Sequence, residues 1–164
     1  MEMILRQQKV CLNIGEEAPD FELPDQDGNM VKLSDYRGKY NILLALNPGD
    51  LNDSCKNYLL LYKENLLKYK ELDTQVLGIS MDTVRTNKAW SQSLGGIGFP
   101  LLSDHEPVGD VTLGYDCFSP GEGYGKRGLF IIDKKGIIRY INVLSDDVKV
   151  CPDVIQNLTT LHDE

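Results

Sequence analysis

Residues 40–62 read YNILLALNPGDLNDSCKNYLLLY, and the hydrophobic pattern changes twice within that stretch. Tyr40–Leu46 is an almost unbroken apolar run of strand length, the pattern of a strand buried on both faces. Asn47–Ser54 is a loop of turn formers that includes Pro48 and Gly49. From Cys55 onward the apolar residues recur at helical spacing through Leu59, Tyr62, Leu66 and Tyr69, with Glu64 and Lys68 on the wet side. Strand, loop and amphipathic helix in that order put the chain among the α/β folds.

The rest of the chain extends the same alternation. Phe21–Leu23 and Met30–Leu33 flank Asp25-Gln26-Asp27-Gly28-Asn29 and read as a β-hairpin. Gln75–Met81 reads as a strand and Asp82–Leu94 as a helix capped by Asp82 or Thr83. Phe99–Leu102 is a short extended segment, Glu106–Leu113 a short helix and Pro152–Leu161 a closing helix. Gly128–Asp133 and Ile137–Val143 bracket Lys134-Lys135-Gly136 as a second hairpin. The expected architecture is a single α/β domain over residues 1–164, with a mixed central sheet flanked by helices and an N-terminal β-hairpin.

Composition narrows the function classes. The chain has 164 residues, 41% apolar and 26% charged, as in an ordinary globular protein. Lys and Arg total 17 against 25 Asp and Glu, a net charge of −8, so neither nucleic acid nor an anionic membrane is an expected partner. No apolar run approaches the roughly 20 residues of a bilayer span, and the MEMILRQQKV start lacks the apolar core of a secretory signal. The four cysteines, at 11, 55, 117 and 151, include no CxxC pair, so their spacing gives neither a zinc site nor a dithiol. A reducing, cytoplasmic setting is expected, in which any working thiol acts singly.

Cys55 carries the chemistry. It falls in the expected first turn of a helix, where free N–H groups and the positive end of the helix dipole stabilise an anion. A thiol so placed has its pKa lowered to roughly 3.5–7.5 and is a nucleophilic thiolate at neutral pH. An arginine brought close would strengthen that effect and hold an oxyanion or a peroxide oxygen. Cys55 also lies on the apolar stripe of its own helix, where buried cysteines are commonly inert, so spacing alone leaves both readings open.

The residues around it resemble the peroxiredoxins, the alkyl hydroperoxide reductase and thiol-specific antioxidant family. Ile14-Gly15-Glu16-Glu17-Ala18-Pro19-Asp20-Phe21 is similar to that family's opening, and Leu33–Lys39 to the segment before its first core strand. Pro48-Gly49-Asp50-Leu51-Asn52-Asp53-Ser54-Cys55 has the spacing of the signature P-x-x-x-T/S-x-x-C. Phe99–Asp104 and Arg127–Asp133 match two further segments, and the one-cysteine, alkyl hydroperoxide reductase E-like branch is the nearest in pattern. The resemblance implies a thioredoxin-like fold and a thiol-dependent peroxidase acting on hydrogen peroxide and organic hydroperoxides. It makes Cys55 the peroxidatic cysteine, which becomes a sulfenic acid, and Arg127 the arginine that holds the thiolate and polarises the peroxide. Pro48 matches the proline that shields the pocket from water. No cofactor and no metal are implied. The implied partners are a peroxide, a thiol reductant (a thioredoxin-like or glutaredoxin-like protein, or a small thiol) and a second copy in a homodimer.

Three positions depart from the pattern. The family's Thr or Ser is Asn52, whose amide can donate to a thiolate without the paired donor and acceptor of a hydroxyl. Asn47 replaces the usual aromatic, and Tyr58 a frequent Glu. These departures support an alternative, a peroxiredoxin fold with weakened or lost activity that serves as a redox sensor or binding partner. Cys151, beside Pro152, stands where an atypical two-cysteine branch keeps its resolving thiol, which makes it the candidate resolving residue. Cys117 is expected in the core, and Cys11 in an N-terminal arm able to bridge subunits. Gly121–Lys126 fails as a phosphate loop, because Pro120 and Arg127 stand where Gly and Ser or Thr are needed, and is expected as a flexible loop at the rim of the site.

Overall fold

The computed structural model describes residues 12–46, 60–105, 110–115, 118–119, 124–125, 127–144 and 157–161. Strands β1 (Glu22–Pro24) and β2 (Met30–Lys32) form the expected N-terminal hairpin, Leu23 pairing with Val31. Its turn is built by Asp25, whose carboxylate accepts from the N–H groups of Asp27 and Asn29 at 2.9 Å, while Gly28 takes φ 84°.

The central sheet has the order β5-β4-β3-β8-β9, from β3 (Asn41–Leu46), β4 (Thr74–Ser80), β5 (Leu101–Ser103), β8 (Arg127–Ile132) and β9 (Ile138–Leu144). β3, β4 and β5 run parallel, and β8 and β9 antiparallel to their neighbours, so the sheet is mixed as the sequence led one to expect. All six residues of β3 are buried, and the five apolar ones alternate between two cores. Leu43 and Ala45 join Val76, Leu129 and Ile131 against Tyr62, Tyr69 and Leu158 on one face. Ile42, Leu44 and Leu46 join Ile79, Phe130 and Ile132 against Phe21, Leu33 and Tyr115 on the other.

The helices are α1 (residues 60–64), α2 (Leu66–Glu71), α3 (Val84–Ser93), α4 (Asp110–Gly114) and α5 (residues 157–161). The stripe Tyr62 and Tyr69 is buried as its spacing predicts, at 1% exposure each. The helix is not continuous, however: it breaks at Asn65. There the Asn65 side-chain amide donates to Leu61 O at 2.8 Å and its backbone N–H to Tyr62 O at 3.2 Å, a local bonding pattern that competes with the regular ladder. Lys63 on α1 donates to Leu94 O at 2.9 Å and so caps the C-terminus of α3. The N-terminus of α3 is capped by Thr83, whose hydroxyl accepts from Thr86 N at 3.2 Å, which selects Thr83 over Asp82.

One expectation needs correction. Of Gly121–Lys126, expected as a flexible loop, Tyr124–Gly125 forms a strand, β7, which pairs antiparallel with β6 (Phe118–Ser119), Phe118 opposite Gly125 and Ser119 opposite Tyr124. Both edges of the large sheet are partly covered. Ile138 N donates to Glu16 O at 2.9 Å on the β9 side, and the Gln26 side chain bonds Phe99 O and Leu101 N on the β5 side.

Candidate active site

The carboxyl ends of β3, β4 and β5 lie together at one end of the sheet, at Leu46, Ser80 and Ser103. Ligands of open α/β sheets gather at such ends. β8 runs the other way, so its first residue arrives where β3 stops. The register pairs Leu46 with Gly128 and Arg127 with Leu144 on β9. Arg127 is therefore one step past the last β3 pair, beside the exit of the chain toward residues 47–54 and Cys55. Of the residues singled out in the sequence, Arg127 is placed by its backbone at this exit. Pro48, Asn52 and Cys55 lie outside the described residues, as do Cys11, Cys117 and Cys151.

The ends of β4 and β5 carry a buried polar layer. Ser80 Oγ donates to Asn87 Oδ1 at 2.7 Å, tying β4 to α3 through two side chains with no exposed surface. Ser80 Oγ also accepts from Asp82 N at 3.3 Å, and the Ser103 hydroxyl donates to the Asp82 carbonyl. Beyond β5, the buried Asp104 carboxylate accepts from Val111 N at 3.1 Å, Thr112 N at 2.7 Å and Thr112 Oγ1 at 2.6 Å. Asp104 N donates to Ser80 O at 2.7 Å. This one residue thus fixes the start of α4, the helix that leads toward β6, β7 and Arg127.

Tyr115 closes the floor on the opposite face. Its hydroxyl donates to Pro19 O at 2.6 Å, and its ring meets Phe130 edge-on at 5.2 Å and Phe21 at 6.2 Å. Burial, with Asp20 adding to it, pushes the Tyr115 phenol far above its ordinary value, so it stays a donor.

Sequence reasoning missed Ser80, Asn87, Asp104 and Thr112 as members of this layer. The segment Phe99–Asp104 was visible as a motif, but a motif does not say that Asp104 reaches a helix eight residues later. Among the described residues no group of three or more His, Cys, Asp and Glu side chains is arranged to hold a metal ion. No described helix is long and apolar enough to cross a membrane.

Comparison with known proteins gives a consistent result. A model described as the AhpC/TSA family matches residues 14–141. The chain is 39% identical over 129 residues to alkyl hydroperoxide reductase E of Mycobacterium tuberculosis, covering 79% of this chain and 84% of that protein. It is 34% identical over 139 residues to the chloroplastic 2-Cys peroxiredoxin BAS1 of Arabidopsis thaliana, covering 79% of this chain and 52% of that one. Among solved structures, the reduced 2-Cys peroxiredoxin of Plasmodium vivax superposes with a TM-score of 0.80 at 25% identity, over 93% of this chain and 98% of that chain. Thioredoxin peroxidase I of Plasmodium yoelii gives 0.77 at 26% identity, over 92% and 91%.

Proposed function

We propose, for a chain that belongs to the AhpC/TSA family of thiol-dependent peroxidases, that its working thiol is Cys55 and that Arg127 activates it. The observation that carries this reading is the register of β3 and β8. It brings the first residue of β8 to the exit of β3, from which the chain runs on to Cys55.

In the first half-reaction the Cys55 thiolate attacks one oxygen of the hydroperoxide. The S–O bond forms as the O–O bond breaks, and the departing oxygen takes a proton to leave as water or an alcohol. The Arg127 guanidinium favours the thiolate over the thiol and stabilises charge developing on the leaving oxygen. Pro48 keeps water from the thiolate, and the Asn52 amide donates to it where the family pattern has a hydroxyl. In the second half-reaction two external thiols reduce the sulfenic acid to the thiol, giving one disulfide and one water. A thioredoxin-like or glutaredoxin-like protein or a small thiol supplies those electrons, or Cys151 first forms a disulfide with Cys55. The reaction needs no metal and no organic cofactor. A homodimer in a reducing, cytoplasmic compartment is the setting that suits this chemistry.

The alternative of a chain without peroxidase activity is not favoured, since the relatives named above are reductases and peroxiredoxins across most of this chain. Peroxide consumption by the reduced protein, assayed with hydrogen peroxide and cumene hydroperoxide, tests the proposal. The expected result is turnover that stops in Cys55→Ser. Turnover that is undiminished in Cys55→Ser would refute it.

A further inference from the structure

Of the four methionines of the chain, the two that the structure describes sit in opposite settings. Met81, next after β4, is 7% exposed, whereas Met30, the first residue of β2, is 58% exposed. Met30 is presented by a fixed element. It pairs with Pro24 across the hairpin, and the hairpin turn is tied down by Gln26, which bonds Phe99 O at 3.1 Å and Leu101 N at 2.8 Å. A thioether sulfur carries its lone pairs at any pH, unlike a thiol, and a peroxide that reaches it converts it to a sulfoxide. Burial keeps Met81 from that reaction, and exposure leaves Met30 open to it.

Met30 also lines a cavity of ≈ 460 Å³, within the size range of ligand sites. Leu23, Pro24 and Val84 add apolar lining, and Glu22 and Thr83 add polar lining. A guest with an apolar body and one polar end suits such a mixed lining, and an organic hydroperoxide has that form. Held beside the sulfur, it reacts at a raised local concentration, which a freely exposed methionine does not provide. Hydrogen peroxide has no apolar part and gains nothing from the lining.

We propose that Met30 is a second site of reaction with organic hydroperoxides, which the cavity holds against its thioether. A sulfur lone pair attacks the terminal oxygen of the hydroperoxide, and the S–O bond forms as the O–O bond breaks. The proton of that oxygen passes through solvent to the departing oxygen, which leaves as an alcohol. The thioether is oxidised by two electrons to a sulfoxide, and the hydroperoxide is reduced by the same two. Each chain consumes one equivalent, so the step adds no turnover, and it uses neither Cys55 nor Arg127. The sulfoxide sets a polar group where the lining was apolar, which weakens the hold on a further hydroperoxide.

The test is peptide mapping by mass spectrometry after timed exposure to cumene hydroperoxide or to hydrogen peroxide. It uses full-length Cys55→Ser, in which the peroxidatic thiol does not compete, and N-acetylmethionine amide as the reference. Met30 should gain one oxygen at least about tenfold faster than Met81. The ratio of the cumene hydroperoxide rate to the hydrogen peroxide rate should be about tenfold higher at Met30 than in the reference. Cumyl alcohol, an unreactive guest of the same shape, should slow the cumene hydroperoxide reaction at Met30 saturably and leave the reference reaction unchanged. Val84→Asp puts a carboxylate in the apolar lining at a helix start that favours an acidic residue, and should bring the ratio down to that of the reference with the thermal midpoint retained. Oxidation of Met30 no faster than of Met81, a rate ratio equal to the reference, or no slowing by cumyl alcohol would each overturn the proposal. So would an unchanged ratio in Val84→Asp. None of these results would bear on Cys55, whose failure is read separately from peroxide turnover.

Discussion

Where β3 begins, polar groups close the chain on itself. Asn41 N donates to Asp73 O at 2.8 Å, and Lys134 reaches Asp73 across 3.4 Å. Asp133 gathers the turn into β9, its carboxylate accepting from Lys135 N at 2.9 Å, Ile137 N at 3.0 Å and Arg139 at 3.3 Å. Where β3 ends, the polar groups do something else. Ser80, Asn87, Ser103 and Asp104 are buried behind the strand ends and hold α3 and α4, while the chain leaves β3 beside Arg127. One end of the sheet is made of tight turns bonded to themselves. The other is a floor of buried, mutually bonded polar groups beside Arg127, which is the arrangement a reaction needs if its groups are to be held before the substrate arrives. The contrast implies that changes at the first end alter stability and changes at the second alter rate.

The largest effect expected is at the second end. Cys55→Ser should lower kcat/KM for hydroperoxide by about 10³-fold or more, because the nucleophile itself is gone. Arg127→Ala should cost roughly 10²–10³-fold in kcat/KM, the usual loss for one transition-state donor, with stability in urea changed by less than about 0.5 kcal/mol. A large stability loss in Arg127→Ala would break the contrast. At the first end, Asp133→Ala should lower the unfolding free energy by about 2 kcal/mol through the three lost bonds, and leave kcat/KM within about twofold of the parent. Asn52→Thr restores the hydroxyl of the family pattern and should raise kcat/KM up to about tenfold, read in the same stopped-flow assay.

The smallest effect lies away from both ends. The Tyr69 hydroxyl is buried with no hydrogen-bond partner among the described residues, and burial pushes its pKa up to about 12. Tyr69→Phe should therefore be neutral or stabilising by up to about 1 kcal/mol near neutral pH. The pH dependence has a definite sign. An unfolded tyrosine ionises from its ordinary value of 10.0, while the folded one stays protonated until about 12. Its contribution is intact below pH 10 and is lost as pH rises toward 12, at about 1.4 kcal/mol per pH unit. Urea titrations across that window should show a shallower loss in Tyr69→Phe than in the parent.

Much of the fold was legible because its signals are local. The Asp25–Asn29 and Lys134–Gly136 turns carry their own side-chain chemistry, and β3 is apolar on both faces, so both hairpins and the central strand follow from sequence. The break at Asn65 did not, because the spacing of Tyr62, Leu66 and Tyr69 is the same for a broken helix as for a straight one. The polar layer was hidden for another reason. Gln26 and Phe99 are 73 residues apart, and Asp104 and Thr112 belong to different elements, so only folding pairs them. Of the candidate site, Arg127 follows from a motif and a strand register together. Pro48, Asn52 and Cys55 rest on the spacing of their motif alone.

The most direct test of the active-end account is an ultraviolet pH titration of the thiolate in the reduced protein, with Cys55→Ser and Arg127→Ala alongside. The predicted result is a thiolate that forms well below the ordinary cysteine value of about 8.5, disappears in Cys55→Ser and moves upward in Arg127→Ala. A titration at the ordinary value that is the same in the parent and in Arg127→Ala would contradict it.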